Sequence, residues 1–248
     1  MKSKISITII TKNEESNIAR CLDSVSWADE IVVVDSGSTD NTLKICQDFR
    51  CKIIESDWLG FGNTKQLAVD SASHCWILSI DADEELTKAL QLEIQDLSQK
   101  NFGDRAYRIK RTSFYLGKMI KYCGWQFDAP LRLFNKKNSR FNEKAVHESI
   151  VTDQPVAILK HKMNHYTYPT IESHFKKMRF YGDIAANQML IKGKRSSLMH
   201  AYIRAIIKFI KMFFFQLGFL DGTAGLKLCK NSAYGVWYKY KRLRDLCR

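Results

Sequence analysis

"WILSIDADEEL", residues 76–86, is the stretch that decides the fold. Trp76 to Ile80 make a near-continuous apolar run suited to a strand buried on both faces. The five positions after it carry four carboxylates: Asp81, Asp83, Glu84 and Glu85. In open α/β sheets ligands bind beyond the carboxyl ends of the strands, so a buried strand that ends in acid marks a candidate site.

Upstream, strand and helix signals alternate. "ISITIIT" (5–11) is β-rich, and "NEESNIARCLDSV" (13–25) sets Ile18, Cys21, Leu22 and Val25 at helical spacing, with Asn13 expected as the N-cap. "EIVVVDSGSTDNTLKICQDF" (30–49) repeats the pattern, with Gly37 allowing a sharp turn and Asp40 or Thr39 capping the next helix. "CKIIES" (51–56), "WLGFGNTKQ" and "KQLAVDSAS" complete a third unit before the strand at 76. Four strands alternating with three helices predict a Rossmann-like α/β fold, a mostly parallel sheet flanked by helices. Thr11, Lys12, Asn13 and Glu14, then Asp35 and Ser36, then Asp81 and Asp83 should all gather at one sheet edge.

Two carboxylates one residue apart after a strand suit Mg²⁺ or Mn²⁺, which takes oxygen ligands and keeps positions open for substrate phosphates. Asp81 and Asp83 are read this way, while Glu84 and Glu85 read as solvated first-turn residues of a helix starting near Leu86. Asp35 can accept from a base N–H or a ribose hydroxyl, or it can hold the turn through Ser36 to Ser38. The chain has neither the G-x-G-x-x-G dinucleotide fingerprint nor the G-x-x-x-x-G-K-[ST] phosphate loop, which removes the main support for dehydrogenase and P-loop readings.

Together "ITIITKNEESNIARCLDSV", "EIVVVDSGSTDNT" and "WILSIDADEEL" resemble the nucleotide-sugar domain of family 2 glycosyltransferases, the inverting GT-A class, over about residues 5–150. "RLF" (132–134), "VHES" (146–149) and "HYTY" (165–168) are similar to bacterial enzymes that add a hexose to the lipopolysaccharide inner core. The resemblance implies a UDP-sugar donor, with Thr11, Glu14 and Asp35 near the nucleoside, Asp81 toward ribose or metal, Asp83 on the metal and Lys65 approaching the diphosphate. Gln66 departs from the Asn expected after that lysine.

An inverting transfer needs a base for the acceptor hydroxyl. Glu148 is the first choice and Asp128 the second; the plainer role for Glu148 is an ion pair with Arg132 or Lys144. His147 could orient the acceptor or bind metal, and His165 is a candidate later metal ligand. Trp58, Trp125 and Phe127 are candidates for stacking on sugar rings, with core packing as the alternative.

Charge divides the chain. Residues 1–150 hold 21 Lys+Arg and 21 Asp+Glu, whereas residues 151–248 hold 18 and 5, so the net charge of +13 lies entirely in the last 98 residues. The expected organisation is a donor-binding catalytic domain over 1–150 and a basic, mainly helical region for acceptor and membrane over 151–248. "LMHAYIRAIIKFIKMFFFQLGFL" (198–220) carries Arg204, Lys208 and Lys211 on one helical face, which argues against a membrane span and for a helix lying in an interface, a core-packed helix being the alternative. Seven cysteines without paired spacing fit a reducing cytosol, and the first residues read as a strand and not as a secretory signal. With these features, the resemblance implies a chain peripheral on the cytoplasmic face of a bacterial inner membrane, meeting anionic lipid and a lipid-linked acceptor. A nucleotidyltransferase of related fold and a nucleic-acid-binding protein are the competing readings. No nucleic-acid-binding motif is found, so nucleic acid is not the expected partner.

Overall fold

In the computed structural model residues 2–142 and 148–247 are described, and they form two compact units: residues 1–111 with 129–165, and residues 112–128 with 166–248. The chain runs β1 (Ile5–Thr11), α1 (Ile18–Val25), β2 (Glu30–Asp35), α2 (Thr42–Asp48), β3 (Lys52–Glu55), α3 (Phe61–Asp70), β4 (Trp76–Asp81), β5 (Glu84–Leu86) and α4 (Lys88–Gln99). It continues through β6 (Ala106–Tyr115), β7 (Lys118–Ile120), β8 (Leu131–Asn135), β9 (Ser139–Phe141), β10 (Ile150–Thr152) and β11 (Val156–Tyr168). Three helices follow: α5 (Ile171–Ile191), α6 (Leu198–Ile210) and α7 (Gly222–Leu246).

The main sheet has the order β3-β2-β1-β4-β8-β6-β11-β5, with β7 on β6. Its first four strands are parallel, as the alternating strand and helix signals require, and β8 then joins β4 in the antiparallel sense. Ile5, Ile7 and Ile9 of β1 and Val32 to Val34 of β2 are fully buried, in keeping with strands covered on both faces. The α1 stripe Ile18, Cys21, Leu22 and Val25 is fully buried against them. Register sets the site: Thr11 pairs with Asp35 and Ile10 with Asp81, so three strand ends finish in line.

Two local expectations need correction. Asn13 does not cap α1. It adopts a left-handed conformation, its side-chain oxygen accepts from the Thr39 N–H at 2.7 Å, and the helix begins only at Ile18. Likewise Glu84 and Glu85 are not first-turn residues: Glu84 to Leu86 form a short strand on β11, and the helix expected near Leu86 begins at Lys88, capped by Thr87, whose hydroxyl accepts from the Leu90 N–H.

In the second unit α7 packs against both α5 and α6. Arg204 of α6 donates to the Tyr240 hydroxyl, and Asp183 of α5 accepts from the Tyr238 hydroxyl and pairs with Arg242. A small core of Tyr115, Ile120, Cys123, Met212, Leu228 and Cys229 holds the base of these helices. A side chain at Gly225 would lie 2.1 Å from the Gly218 carbonyl oxygen, so the α7 start can close on the preceding turn only through glycine.

Candidate active site

At the carboxyl end of β4 the acids meet cations that the chain brings from far away. Lys65, on α3 and 4% exposed, places its ammonium 2.8 Å from Asp81 Oδ1 and 2.7 Å from Glu148 Oε1. Arg132, on β8 and 3% exposed, donates to Asp81 Oδ2 and, at 2.7 Å, to Glu84 Oε1. Arg111 of β6 lies 3.0 Å from the same Glu84 oxygen. Three cations therefore face three carboxylates, a balance that a buried cluster needs if its charges are to remain ionised. Burial pushes the Asp81 carboxyl up, but Arg132, Lys65 and Arg111 outweigh it and hold the group well below the usual carboxylate range.

Glu84 is fully buried, which overturns its reading as a solvated helix-start residue. Its second oxygen accepts the Asp81 backbone N–H at 2.8 Å, so it fixes the turn that presents the two aspartates. Asp83, 8% exposed, approaches His165 of β11, with Oδ1 and Nε2 3.6 Å apart. The antiparallel pairing of His165 with Glu84 brings the histidine there.

The donor-side residues occupy neighbouring strand ends. Asp35 is fully buried and accepts from the backbone N–H groups of Gly37 and Ser38 at 2.9 and 2.8 Å, so it holds its own turn. Among the described residues the buried hydroxyls of Thr11 and Ser36 have no hydrogen-bond partner. Glu14 accepts from the Asn17 side chain, and its N–H donates to Thr42. Gln66 accepts the Phe141 N–H at 2.8 Å, which ties α3 to β9 and gives the departure from Asn a structural role.

Thr11, Glu14, Asp35, Lys65, Asp81, Asp83, Glu148 and His165 all belong to the first unit; Asp128 belongs to the second, just after the turn Trp125–Phe127. Glu148 pairs with Lys65, whereas Arg132 serves Asp81 and Glu84. His147 and Lys144 lie outside the described residues. Trp125 packs on the second unit's core, Trp58 meets Phe61 edge to face, and Phe127 is 76% exposed. Arg111 and Glu84 escaped the sequence reading as site residues, although the charged Arg132 inside the apolar strand "LRLF" was a visible signal for the cluster.

Among the described residues no three His, Cys, Asp or Glu side chains form a metal-holding group. Asp81 is engaged by cations through both oxygens, and the Asp83 carboxylate and the His165 imidazole lie close to each other. Oxygen and imidazole donors 3.6 Å apart fit Mg²⁺ or Mn²⁺ when phosphate oxygens and water complete the shell.

Comparison with known proteins agrees with this architecture. Residues 6–151 match the family described as Glycosyl transferase family 2, and the chain belongs to that family. An uncharacterized glycosyltransferase of Rickettsia typhi is 34% identical over 255 residues, covering 98% of this chain and 87% of the relative. The lipopolysaccharide core biosynthesis glycosyltransferase LpsC of Rhizobium meliloti is 28% identical over 220 residues, covering 86% of this chain and 82% of that protein. The crystal structure of Staphylococcus aureus TarS 1–349 in complex with UDP-GlcNAc shares the fold, with a TM-score of 0.52 at 17% identity over 94% of this chain and 80% of that one. The chain is thus a transferase of GT-A fold, and the nucleotidyltransferase and nucleic-acid-binding readings give way to it.

Proposed function

We propose that this glycosyltransferase moves a hexose, with glucose favoured, from a UDP-sugar to a lipid-linked acceptor of the lipopolysaccharide inner core, with inversion at C1 and with Mg²⁺ or Mn²⁺. The observation that carries the reading is the bridge from Asp81 through Lys65 to Glu148, beside the Asp83–His165 pair. In this reading Lys65 is the cation for the diphosphate and Glu148 the carboxylate on the acceptor side. The likeness to LpsC supports the acceptor class.

In this reading the orphaned Thr11 and Ser36 hydroxyls take up nucleoside oxygens, and Lys65 turns toward the diphosphate. The acceptor hydroxyl attacks C1 from the face opposite the diphosphate and gives its proton to Glu148, while the C1–oxygen bond to the diphosphate breaks. A cation on Asp83 and His165 would neutralise charge on the departing group. Asp128 inherits the base role if Glu148 serves only as the partner of Lys65. Among the described residues no helix is long and apolar enough to cross a membrane. The basic second unit would therefore meet an acceptor on the inner face of the inner membrane peripherally.

The test is release of UDP from UDP-glucose and other UDP-hexoses, with and without Mn²⁺, in the parent protein and in Asp83→Ala. We expect cation-dependent turnover that the variant lacks, with its fold retained. Near-parental turnover of the variant at saturating Mn²⁺ would remove the metal assignment, and turnover of no UDP-sugar would remove the donor assignment.

A further inference from the structure

Beside α6 the second unit carries an apolar groove of about 480 Å³, walled by Tyr202 and Phe209 of α6 and by Tyr234 and Trp237 of α7. It is open because Ala205 and Ala233 put single methyl groups where their neighbours put rings. Two observations bear on its occupant. Ile206 lines the groove and also belongs to the outward stripe of α6 with Ile203 and Ile210, and all three are 40–56% exposed, so apolar surface runs unbroken from the outside into the groove. Lys230 stands at the groove, and the Lys241 ammonium lies 5.7 Å from the Trp237 ring.

An apolar slot with cations beside it describes a receptor for an amphiphile: one hydrocarbon chain with negative charge next to it. We infer that the groove between α6 and α7 receives one acyl chain of an anionic phospholipid drawn from the leaflet. The chain would lie between the aromatic walls, and the phosphate would face Lys230. Arg204 and Lys208 line the opposite flank of α6 and Lys211 follows directly after it, so attraction to the surface and seating of the chain use separate parts of this segment. The inference rests on the membrane-peripheral reading and deepens it.

Myristoyl lysophosphatidylglycerol below its micelle concentration is the probe, and tryptophan emission of the full-length protein is the readout. The expected result is saturable binding at one site whose signal vanishes in Trp237→Phe. Ala205→Leu with Ala233→Leu fills the groove and should abolish binding. Lys230→Gln should weaken it about fivefold, the loss expected for one lysine near an anionic surface, and lysophosphatidylcholine should bind correspondingly less well. Undiminished binding by a folded double-leucine variant overturns the inference, as does equal affinity for the two lysolipids. If the leucine variant does not fold, vesicles with brominated chains decide in the parent: absence of quenching at Trp237, by difference from Trp237→Phe, overturns it. No sugar transfer is measured, so failure here and failure of the glycosyltransfer reading remain distinguishable.

Discussion

Glu148 and Arg132 show how much a single residue owes to partners distant in sequence. Lys65 uses one acceptor site of the Glu148 carboxylate, which has about four. The proposed base could therefore hold its lysine and still face an acceptor hydroxyl. Glu148→Gln keeps the size and removes the basicity, so transfer should fall by roughly 10²-fold or more; titration with UDP-sugar should show donor affinity little changed. Lost donor affinity would instead assign Glu148 to the lysine alone. Arg132→Met should act on stability, because it leaves Asp81 and the fully buried Glu84 short of a cation. A loss on the order of 3–5 kcal/mol is expected from urea unfolding, whereas Lys100→Met, removing an exposed pair with Asp96, should cost well under 1 kcal/mol. The position of Asp81 at the end of β4, with Asp83 just beyond it, was legible because strand and acid are adjacent in sequence. The burial of Glu84 was not, since Arg132 and Arg111 arrive 48 and 27 residues later (132 − 84 and 111 − 84) on antiparallel strands.

Elements followed the sequence wherever periodicity ruled and departed from it wherever a distant partner ruled. The β1, β2 and β4 runs and the α1 stripe could be read directly. The start of α1 could not, because the residues after Asn13 are also bound to the loop after β2: Glu15 accepts from Asn41, and Asp40 accepts the Glu15 N–H. In α5 a comparable long-range contact surrounds His174, 4% exposed, whose Nδ1 lies 3.1 Å from the Tyr115 hydroxyl and whose ring stacks on Tyr168. Asn231 donates to that hydroxyl, which shares a further hydrogen bond with Nδ1. Burial pulls the imidazole pKa down from 6.5 to about 4. Between these values the unfolded state binds the extra proton, so the contribution is complete above pH 6.5 and is lost as pH falls toward 4, on the order of 1–3 kcal/mol. Urea midpoints from pH 4 to 8 should show this slope in the parent and lose it in His174→Gln; equal slopes would clear His174.

For the whole molecule, a neutral catalytic unit and a strongly basic helical region suggest that attachment is separable from chemistry. The sequence left two roles for residues 198–220, an interfacial helix or a core-packed one, and burial speaks to that choice. Of α6 only Ala201 is buried, while Met199, Ile203, Ile206, Ile207 and Ile210 stand 40–74% exposed. Arg204 leans on Tyr240, and burial followed by the nearby Lys211 lowers the Lys208 ammonium from its ordinary value. Arg204 and Lys208 thus lean toward α7, and the exposed sector of Ile203, Ile206 and Ile210 carries no charge, an arrangement that an interface rewards and that water does not. Arg204→Glu, Lys208→Glu and Lys211→Glu together should release the protein from vesicles containing phosphatidylglycerol, and parental binding should weaken as salt rises. UDP release from UDP-sugar should persist in that variant, because Lys65, Asp83 and Glu148 belong to the other compact unit. Cosedimentation with vesicles and soluble UDP release, measured on the same preparation, decide the matter. Vesicle binding that survives charge reversal would transfer the attachment to the apolar sector alone, and loss of both readouts would mean that the helix supports the fold.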